Sequence, residues 1–252
     1  MTLTVQSKLI DIGLAIADIK QCWIDVARNG VLPERKLAID LCVEETHELI
    51  DSMNAMVAGY RDNNQEMLAK AWNDILDAAA DMLVVYSQLG MVTHPELTVR
   101  ESIRCGLGML AGRASVLDVD SGREFNQTVI DLLQSDGFGS DDYDVDPLAF
   151  WVAMTSAIYE FESELSSYGL MNFSDAIKEV SRSNWSKFPS VNDITDPEAE
   201  CKWIEENSKG RYHDIKYRVV ELDHGSVYVF YANTGKVVKP SCFSEPNFKL
   251  TK

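Results

Sequence analysis

Apolar residues recur at helical spacing through the first part of the chain. This pattern predicts a helix over residues 2–28, ended by the Asn-Gly pair at 29–30. Two longer helices are predicted over residues 34–60 and 64–89, and Gly90 is the expected C-terminal stop of the second. Because only a short polar turn separates the two long helices, we expect them to form an antiparallel pair.

Further helical patterns follow, and their order suggests an internal repeat. The segment that ends at Gly90 resembles the segment that ends at Gly169, and each precedes a polar link and a helix. One hypothesis is therefore that residues 95–189 are a degenerate copy of the first helical unit. A strongly acidic stretch at 118–146, part of it a loop, interrupts these patterns. The shorter helices are predicted at residues 95–117, 147–168 and 174–183.

Beyond residue 189 the helical period no longer fits the sequence. A polar segment with one short helix around residues 198–206 comes first, and runs that alternate with a period of two follow it. The alternating runs lie at residues 217–222, 227–231 and 236–238. Turn signals between them predict a small antiparallel β meander. We therefore expect a mainly α-helical protein, with an all-helical domain over residues 1–189 and a polar linker and β tail over residues 190–252.

The excess of acidic residues indicates which kinds of partner the protein can bind. The chain has 40 acidic and 23 basic residues and a net charge of -17. Such a surface is poorly suited to nucleic acid or an anionic membrane, and it suits divalent cations that recruit a phosphorylated substrate. Solubility alone is the alternative explanation. No apolar stretch approaches the roughly 20 residues of a membrane span, no signal peptide is evident, and five scattered cysteines fit reduced thiols, so we expect a cytoplasmic protein.

Two carboxylates on the second predicted helix continue an apolar stripe. Glu45 and Glu48 are three residues apart and therefore share a helical face. Stepping back four residues at a time from Glu45 gives Leu41 and Leu37, which are apolar. We therefore expect both carboxylates to point towards the interior, where burial without a proton, a basic partner or a metal ion would be costly.

The third predicted helix offers a matching set of acids. Asp74, Asp77 and Asp81 lie on one face, between alanines and leucines that suit close helix packing. Pairing of the two helices would bring these acids together, and oxygen ligands of this kind favour Mg²⁺, with Mn²⁺ as a substitute. The alternative is that they are solvated carboxylates on amphipathic helices. The other acids of the second helix are expected to face solvent or support the site: Asp40, Glu44 and Asp51.

Four segments in order resemble a known family. They are EETHEL at 44–49, DAAADML at 77–83, EVSRSNWSKF at 179–188, and GKVVKP followed by FSEP within 235–246. Together they are similar to the all-alpha nucleotide pyrophosphohydrolases of the MazG type, a superfamily that includes the dimeric dUTPases, and particularly to the MazG-like proteins of bacteriophages. The resemblance implies a helical bundle that cleaves a nucleoside triphosphate to the monophosphate and pyrophosphate, by attack of water on the alpha-phosphorus.

The resemblance also implies roles for the acids. Glu45, Glu48, Asp77 and Asp81 would hold the metal ions, and Glu45 or Glu48 would orient or deprotonate the water. The sequence departs from the family at one point, because Ala78 stands where the usual ExxD has its first acid. Asp77 is the nearest acid, and the resulting DxxxD still occupies one helical face.

The resemblance places the substrate contacts near the C-terminal end and leaves two alternatives open. The implied contacts to phosphate, base or sugar are Arg182, Asn184, Lys187, Lys236 and Lys239. The implied assembly is a homodimer or an intrachain pseudo-dimer. Glu44 and His47 form an ExxH of the di-iron type, but the only second copy, Glu221 to His224, lies in the predicted strands. The other alternative is a non-catalytic bundle that binds a nucleotide or a host protein.

Overall fold

The computed structural model describes residues 13–95, 101 and 171–248. The chain divides into two compact units, each assembled from segments distant in sequence. Unit 1 comprises Met1–Ile19, Leu32–Lys178 and Phe248–Lys252, and unit 2 comprises Lys20–Val31 and Glu179–Asn247. This division differs from the expected boundary at residue 189, because Glu179 to Phe188 belong with the β tail. Apart from residues 95 and 101, the predictions for residues 95–117, 118–146 and 147–168 lie outside the described residues.

Two long helices form the described core of unit 1, as the sequence predicts. Helix α1 spans Arg35–Arg61 and helix α2 spans Gln65–Thr93. Asn64 caps α2, because its side-chain oxygen accepts a hydrogen bond from the backbone N–H of Met67 at 3.1 Å. The predicted stop at Gly90 is wrong: α2 continues for one more turn, and the N–H of His94 donates to the Gly90 carbonyl at 2.8 Å.

The α1–α2 pair is antiparallel, as expected from the three-residue turn. Gly59 near the end of α1 faces Leu68 near the start of α2, and a Cβ at Gly59 would lie 3.0 Å from the Leu68 side chain. Thr46, further back on α1, contacts Tyr86, further along α2. Large side chains of α2, including Trp72, Leu76, Met82 and Leu83, are fully buried. Burial of this apolar area supplies most of the free energy that holds the pair together.

A buried hydrogen bond joins α1 to α2. The Thr46 hydroxyl lies 2.7 Å from the Cys42 carbonyl and 2.8 Å from the Tyr86 hydroxyl. Since Thr46 has one proton and donates it to the carbonyl, Tyr86 donates to Thr46. Burial is the main cause that raises the pKa of Tyr86 far above its usual range, so this phenol keeps its proton.

The Thr46–Tyr86 bond predicts non-additive substitutions. Thr46→Val leaves the Tyr86 O–H buried without an acceptor, which costs about 1–3 kcal/mol of the free energy of unfolding. Tyr86→Phe costs about 1 kcal/mol, because Thr46 keeps its bond to the Cys42 carbonyl. We expect the double variant to lose less than the sum of the two, as measured by urea unfolding in a double-mutant cycle. Strict additivity would contradict this geometry.

Helix α2 is also the one helix of the described residues that is long and apolar enough to cross a membrane by length and composition alone. This differs from the sequence expectation of no such stretch. Its most apolar window is 72% buried inside the fold. A core helix of a soluble protein passes the same test, and burial against α1 accounts for its apolar composition.

Three further helical segments come before the β strands in the sequence. The first described segment is α-helical over residues 13–19 and π-helical over Lys20–Val26, and it ends at the predicted place, where Asn29 and Gly30 both have positive φ. Helix α3 spans Phe173–Trp185, and helix α4 spans Pro197–Asn207 with Asp196 as its N-cap. Both lie where short helices are predicted.

The β tail of unit 2 is a hairpin. Strand β1, Lys216–Leu222, pairs antiparallel with strand β2, Gly225–Tyr231, and the two are joined by a tight turn. The predicted third strand is reduced to a single bridge between Tyr231 and Val237. Pro240 gives a physical reason: it has no N–H to donate, so a ladder of backbone hydrogen bonds cannot continue through it.

Each face of the hairpin packs against an apolar cluster. Tyr217, Tyr228 and Phe230 lie on one face and pack into a cluster with Ile194, Ile204, Ile215, Ala232 and Val238. On the other face, Val227 and Val229 pack with Cys22 and Val26 of the π-helical segment and with Phe188. The hairpin is therefore the central layer of unit 2. The mainly helical fold with a small antiparallel β element agrees with the sequence expectation.

Candidate functional site

Glu45 is the most perturbed carboxylate of unit 1. Its Oε2 atom is buried and has no hydrogen-bond partner within the described residues. Burial is the main cause that raises the pKa of Glu45 to about 8, and the negative charges of Asp81, Glu48, Glu44 and Asp77 contribute to the same shift. The neighbours that shift this pKa are all carboxylates. In the absence of a cation, Glu45 therefore carries a proton at neutral pH.

The four acids expected to hold metal ions are divided between the two paired helices, two on α1 and two on α2. Asp81 of α2 has the strongest charge effect on Glu45, so the two helices bring these carboxylates close together. Asp77, one turn before Asp81, is half-buried like Asp81, and Glu48 is exposed on α1. Glu48, Asp77 and Asp81 are thus near enough to Glu45 for their charges to raise its pKa, and the role of the four acids as metal ligands stays a prediction.

The apolar stripe that led to Glu45 is only partly buried. Leu37 is 41% exposed and Leu41 is half-buried. The buried face of α1 runs through Cys42 and Leu49, which lie three residues before Glu45 and four after it. Glu45 therefore sits at the border of the buried face. This position explains why one carboxylate oxygen is buried while the side chain keeps some exposure.

Two acids of the wider set have basic partners that the sequence analysis did not assign. Lys70 contacts Asp74 at 2.6 Å, and Lys36 contacts Asp40 at 2.8 Å. Both are i, i+4 pairs on the helix surface, so Asp74 is neutralised without a metal ion. Asp74 therefore has a basic partner that the expected group of acids did not include. Asp40, Glu44, Asp51 and His47 are exposed.

Asn73 is a polar residue at this face that the sequence analysis missed. Its Oδ1 atom is buried without a hydrogen-bond partner in the described parts of the chain. Asn73 lies four residues before Asp77 and eight before Asp81, so the three share one face of α2. That spacing was the available signal. An orphaned amide oxygen beside carboxylates adds a neutral oxygen ligand or a hydrogen-bond acceptor to the region.

Within the described residues, no group of three or more His, Cys, Asp or Glu side chains is arranged to hold a metal ion. Charge repulsion among the acids gives a physical reason, because carboxylates without a cation between them separate or take up a proton. The donor set itself, hard oxygens with one orphaned buried atom, fits Mg²⁺ or Mn²⁺.

The pKa of Glu45 predicts how pH affects the metal-free protein. The folded protein keeps the Glu45 proton up to about pH 8, whereas the unfolded chain loses it near pH 4.5. Between these values the folded state binds more protons, so the free energy of unfolding falls as pH rises, by at most about 1.4 kcal/mol per pH unit. Urea unfolding at pH 5 to 8 should show this fall in the wild type. In Glu45→Gln the slope due to this residue should vanish; an unchanged slope would contradict the assignment.

The five residues expected to contact substrate all lie in unit 2. The Arg182 guanidinium makes two hydrogen bonds to the Glu179 carboxylate, at 2.7 and 2.9 Å, and a third to the Glu245 carbonyl at 3.0 Å. These contacts lower the pKa of Glu179 and raise that of Arg182. Arg182 is thus held by protein acceptors, which the sequence analysis did not foresee.

Two of the lysines lie near an aromatic ring of the C-terminal tail. The Lys187 ammonium donates to Asn184 Oδ1 at 2.8 Å and lies 5.9 Å from the Phe243 ring centre. The Lys239 ammonium lies 4.2 Å from the same ring and contacts the Glu245 carboxylate at 2.7 Å. Asn184 is buried, and Lys236 is exposed on the turn after β2. Lys187 and Lys239 therefore approach one ring.

The two family-like segments of unit 2 pack against each other. Residues 240–247, which we call the C-terminal strap, run along the end of α3 and the turn after it. The N–H of Asn247 donates to Glu179 at 2.6 Å, and the N–H of Ser244 donates to the Ser186 hydroxyl at 3.0 Å. Glu245 and Phe243 of this strap were not identified from the sequence, because no local spacing links them to Arg182.

Comparisons with known proteins identify no relative of this chain. No family model, no curated protein and no solved structure matches this chain. The function must therefore be argued from the residues and their geometry.

Proposed function

We propose that this protein is a metal-dependent nucleoside triphosphate pyrophosphohydrolase of the MazG type, which cleaves a nucleoside triphosphate to its monophosphate and pyrophosphate. The observation that carries the proposal is the buried, unpartnered Oε2 atom of Glu45 among carboxylates of two helices. Burial of such a group without a basic partner is costly, and such groups concentrate at functional sites.

In the proposed site, Glu45, Glu48, Asp77 and Asp81 hold the metal ions. Mg²⁺, or Mn²⁺ in its place, supplies neutralisation of the charge on the phosphate oxygens and on the departing pyrophosphate. Glu45 or Glu48 orients the attacking water and accepts its proton. Asn73 supplies a further acceptor oxygen on the same face of α2.

The proposed substrate contacts are Arg182, Asn184, Lys187, Lys236 and Lys239. The planar guanidinium of Arg182 forms paired hydrogen bonds with a carboxylate in this structure, and the same fork suits phosphate oxygens. The lysines act as point charges on phosphate. Asn184 hydrogen-bonds the base or sugar. We further propose a helical bundle with a degenerate second repeat over residues 95–189, acting as a homodimer or pseudo-dimer in the cytoplasm, including that of a phage-infected host.

The test is pyrophosphate release from a panel of the common deoxynucleoside and ribonucleoside triphosphates, with Mg²⁺ and with excess chelator. We expect release that requires the metal and is lost in Glu48→Ala. Asp40→Ala is the matched control, because Asp40 is an exposed acid of the same helix paired with Lys36. Metal-dependent release that survives in Glu48→Ala would refute the assignment of that ligand.

A second candidate is a non-catalytic helical bundle that binds a nucleotide or a protein. It has one supporting observation: Arg182, a proposed substrate contact, is held by the Glu179 carboxylate and the Glu245 carbonyl. No release of pyrophosphate from any nucleotide, by a folded protein whose melting temperature rises on nucleotide addition, would select this candidate. If the folded protein neither hydrolyses a nucleotide nor changes its melting temperature when a nucleotide is added, binding of a protein partner would remain as its function.

A further inference from the structure

The C-terminal strap of unit 2 holds the cations that a phosphorylated ligand would need. Glu245 contacts two of them at once, because its carbonyl accepts from Arg182 and its carboxylate accepts from Lys239. A third cation, Lys187, lies 5.9 Å from the ring of Phe243, also in the strap. In a chain with a net charge of -17, three cations thus lie around one short segment, alongside the carboxylates of Glu179 and Glu200.

The strap is tethered at both ends by polar contacts. At its start, the backbone N–H and the hydroxyl of Ser241 donate to the two carboxylate oxygens of Glu200 on α4. Near its end, the N–H of Asn247 shares the Oε1 atom of Glu179 with the Arg182 guanidinium. Glu179 therefore links the position of the strap to the position of Arg182.

The contacts made by Glu245 are open to water. The side chains of Arg182, Lys239 and Glu245 are 45%, 53% and 69% exposed. Exposed ion pairs of this kind add little to stability, since water and salt screen them. A polyanion that offers several charges to the same cations can compete with a single carboxylate and a single carbonyl, and paired contacts from an arginine fork favour phosphate oxygens.

We propose that Arg182, Lys187 and Lys239 form a binding site for a polyphosphate chain, and that Glu245 of the C-terminal strap occupies this site as an internal competitor. An incoming polyphosphate takes the place of the Glu245 carboxylate on Lys239 and of the Glu245 carbonyl on Arg182. The strap around Glu245 and Asn247 is then released from Glu179. The identification of the polyphosphate as the triphosphate of a nucleotide rests on the proposed pyrophosphohydrolase function. The binding site for polyphosphate does not depend on that function.

The test measures binding of inorganic tripolyphosphate by calorimetry, at fixed ionic strength and with excess chelator. No divalent cation and no hydrolysis are involved, so the result is independent of the proposed reaction. We expect Glu245→Gln to bind about threefold to fivefold more tightly than the wild type, because the competing carboxylate is gone. Lys239→Gln should weaken binding in both the wild-type and the Glu245→Gln background.

Glu206→Gln is the matched control, because Glu206 is an exposed acid of α4 in the same unit and its loss changes the net charge equally. Equal affinities of Glu245→Gln and Glu206→Gln would overturn the competition, since a general charge effect would then explain both. No binding of tripolyphosphate by any variant would overturn the site. Hydrogen exchange at the Ser244 and Asn247 amides should become faster with tripolyphosphate, and slower exchange would overturn release of the strap.

Discussion

Replacing Glu45 with glutamine is expected to lower pyrophosphate release by about 10²–10⁴-fold, the effect of losing a group that accepts a proton or holds the reacting centre. Glutamine preserves the size of the side chain and one oxygen but cannot carry the negative charge. Because the Glu45 carboxyl is already protonated at neutral pH without a cation, the fold itself should tolerate the amide well. The measurement is steady-state release of pyrophosphate with Mg²⁺ and the best nucleotide of the panel.

Asp40→Asn is the control for this prediction, because it removes one charge from the same helix at an exposed position paired with Lys36. Its activity should stay within about twofold of the wild type, since an exposed ion pair contributes little. A folded Glu45→Gln protein with wild-type turnover would contradict both the role of Glu45 and the proposed reaction centre. Circular dichroism and the urea midpoint separate loss of activity from loss of fold.

Removing the ring of Phe230 is expected to cause one of the largest losses of stability in unit 2. Phe230 is fully buried on β2 and packs in a cluster with Ile194, Ile204 and Ile215. Phe230→Ala should lower the free energy of unfolding by about 3–5 kcal/mol, the usual cost of deleting a buried ring and leaving a cavity. Urea unfolding followed by the fluorescence of Trp203 and the other tryptophans measures it.

Val219→Ala serves as the comparison on the neighbouring strand, where Val219 is 49% exposed. An exposed position away from the core should cost no more than about 0.5 kcal/mol. If the two variants lost similar stability, Phe230 would not be central to the core of unit 2. The difference in stability between the two variants therefore tests whether Phe230 is a core residue while Val219, on the neighbouring strand, is exposed.

Local patterns in the sequence predicted the helices of the described residues and the two strands of the hairpin, with errors at Gly90 and at the third strand. The caps of α2 and α4 and the turn after the first helix follow from residue types that act within a few positions, Asn64, Asp196 and the pair at 29–30. Gly90 misled the prediction because a glycine ends a helix only where it adopts a left-handed conformation. Half-buried residues after it extend α2 instead.

The candidate site was predictable to the extent that helical spacing determines it. Spacing grouped Glu45 with Glu48 and Asp77 with Asp81, and the facing of Glu45 towards Asp81 then followed from the antiparallel pair. The same spacing rules would have assigned Lys70 to Asp74 and Arg182 to Glu179. The acidic pattern on one helical face does not reveal these pairs, because each partner is a base one turn away.

Contacts between distant segments could not be derived from spacing. Glu245 meets Arg182 across 63 positions of the chain, and Arg218 donates to the Val26 carbonyl across 192. No periodicity spans such separations, since they depend on how whole elements pack. For the same reason the sequence alone assigned residues 20–31 to the helical domain and Glu179 to Phe188 to its end, whereas the fold places both with the hairpin.

The presence of the π-helical segment in the core of unit 2 limits how this protein can be divided into fragments. Cys22 and Val26 cover one face of the hairpin, so a fragment that begins at residue 179 would lack one side of its own core. Such a fragment would expose Val229 and Phe188 to water and tend to aggregate. We expect a peptide that spans residues 13–31, added in trans, to supply the missing face. Residues 20–31 and 179–247 therefore share one core, and unit 2 is complete only when both segments are present.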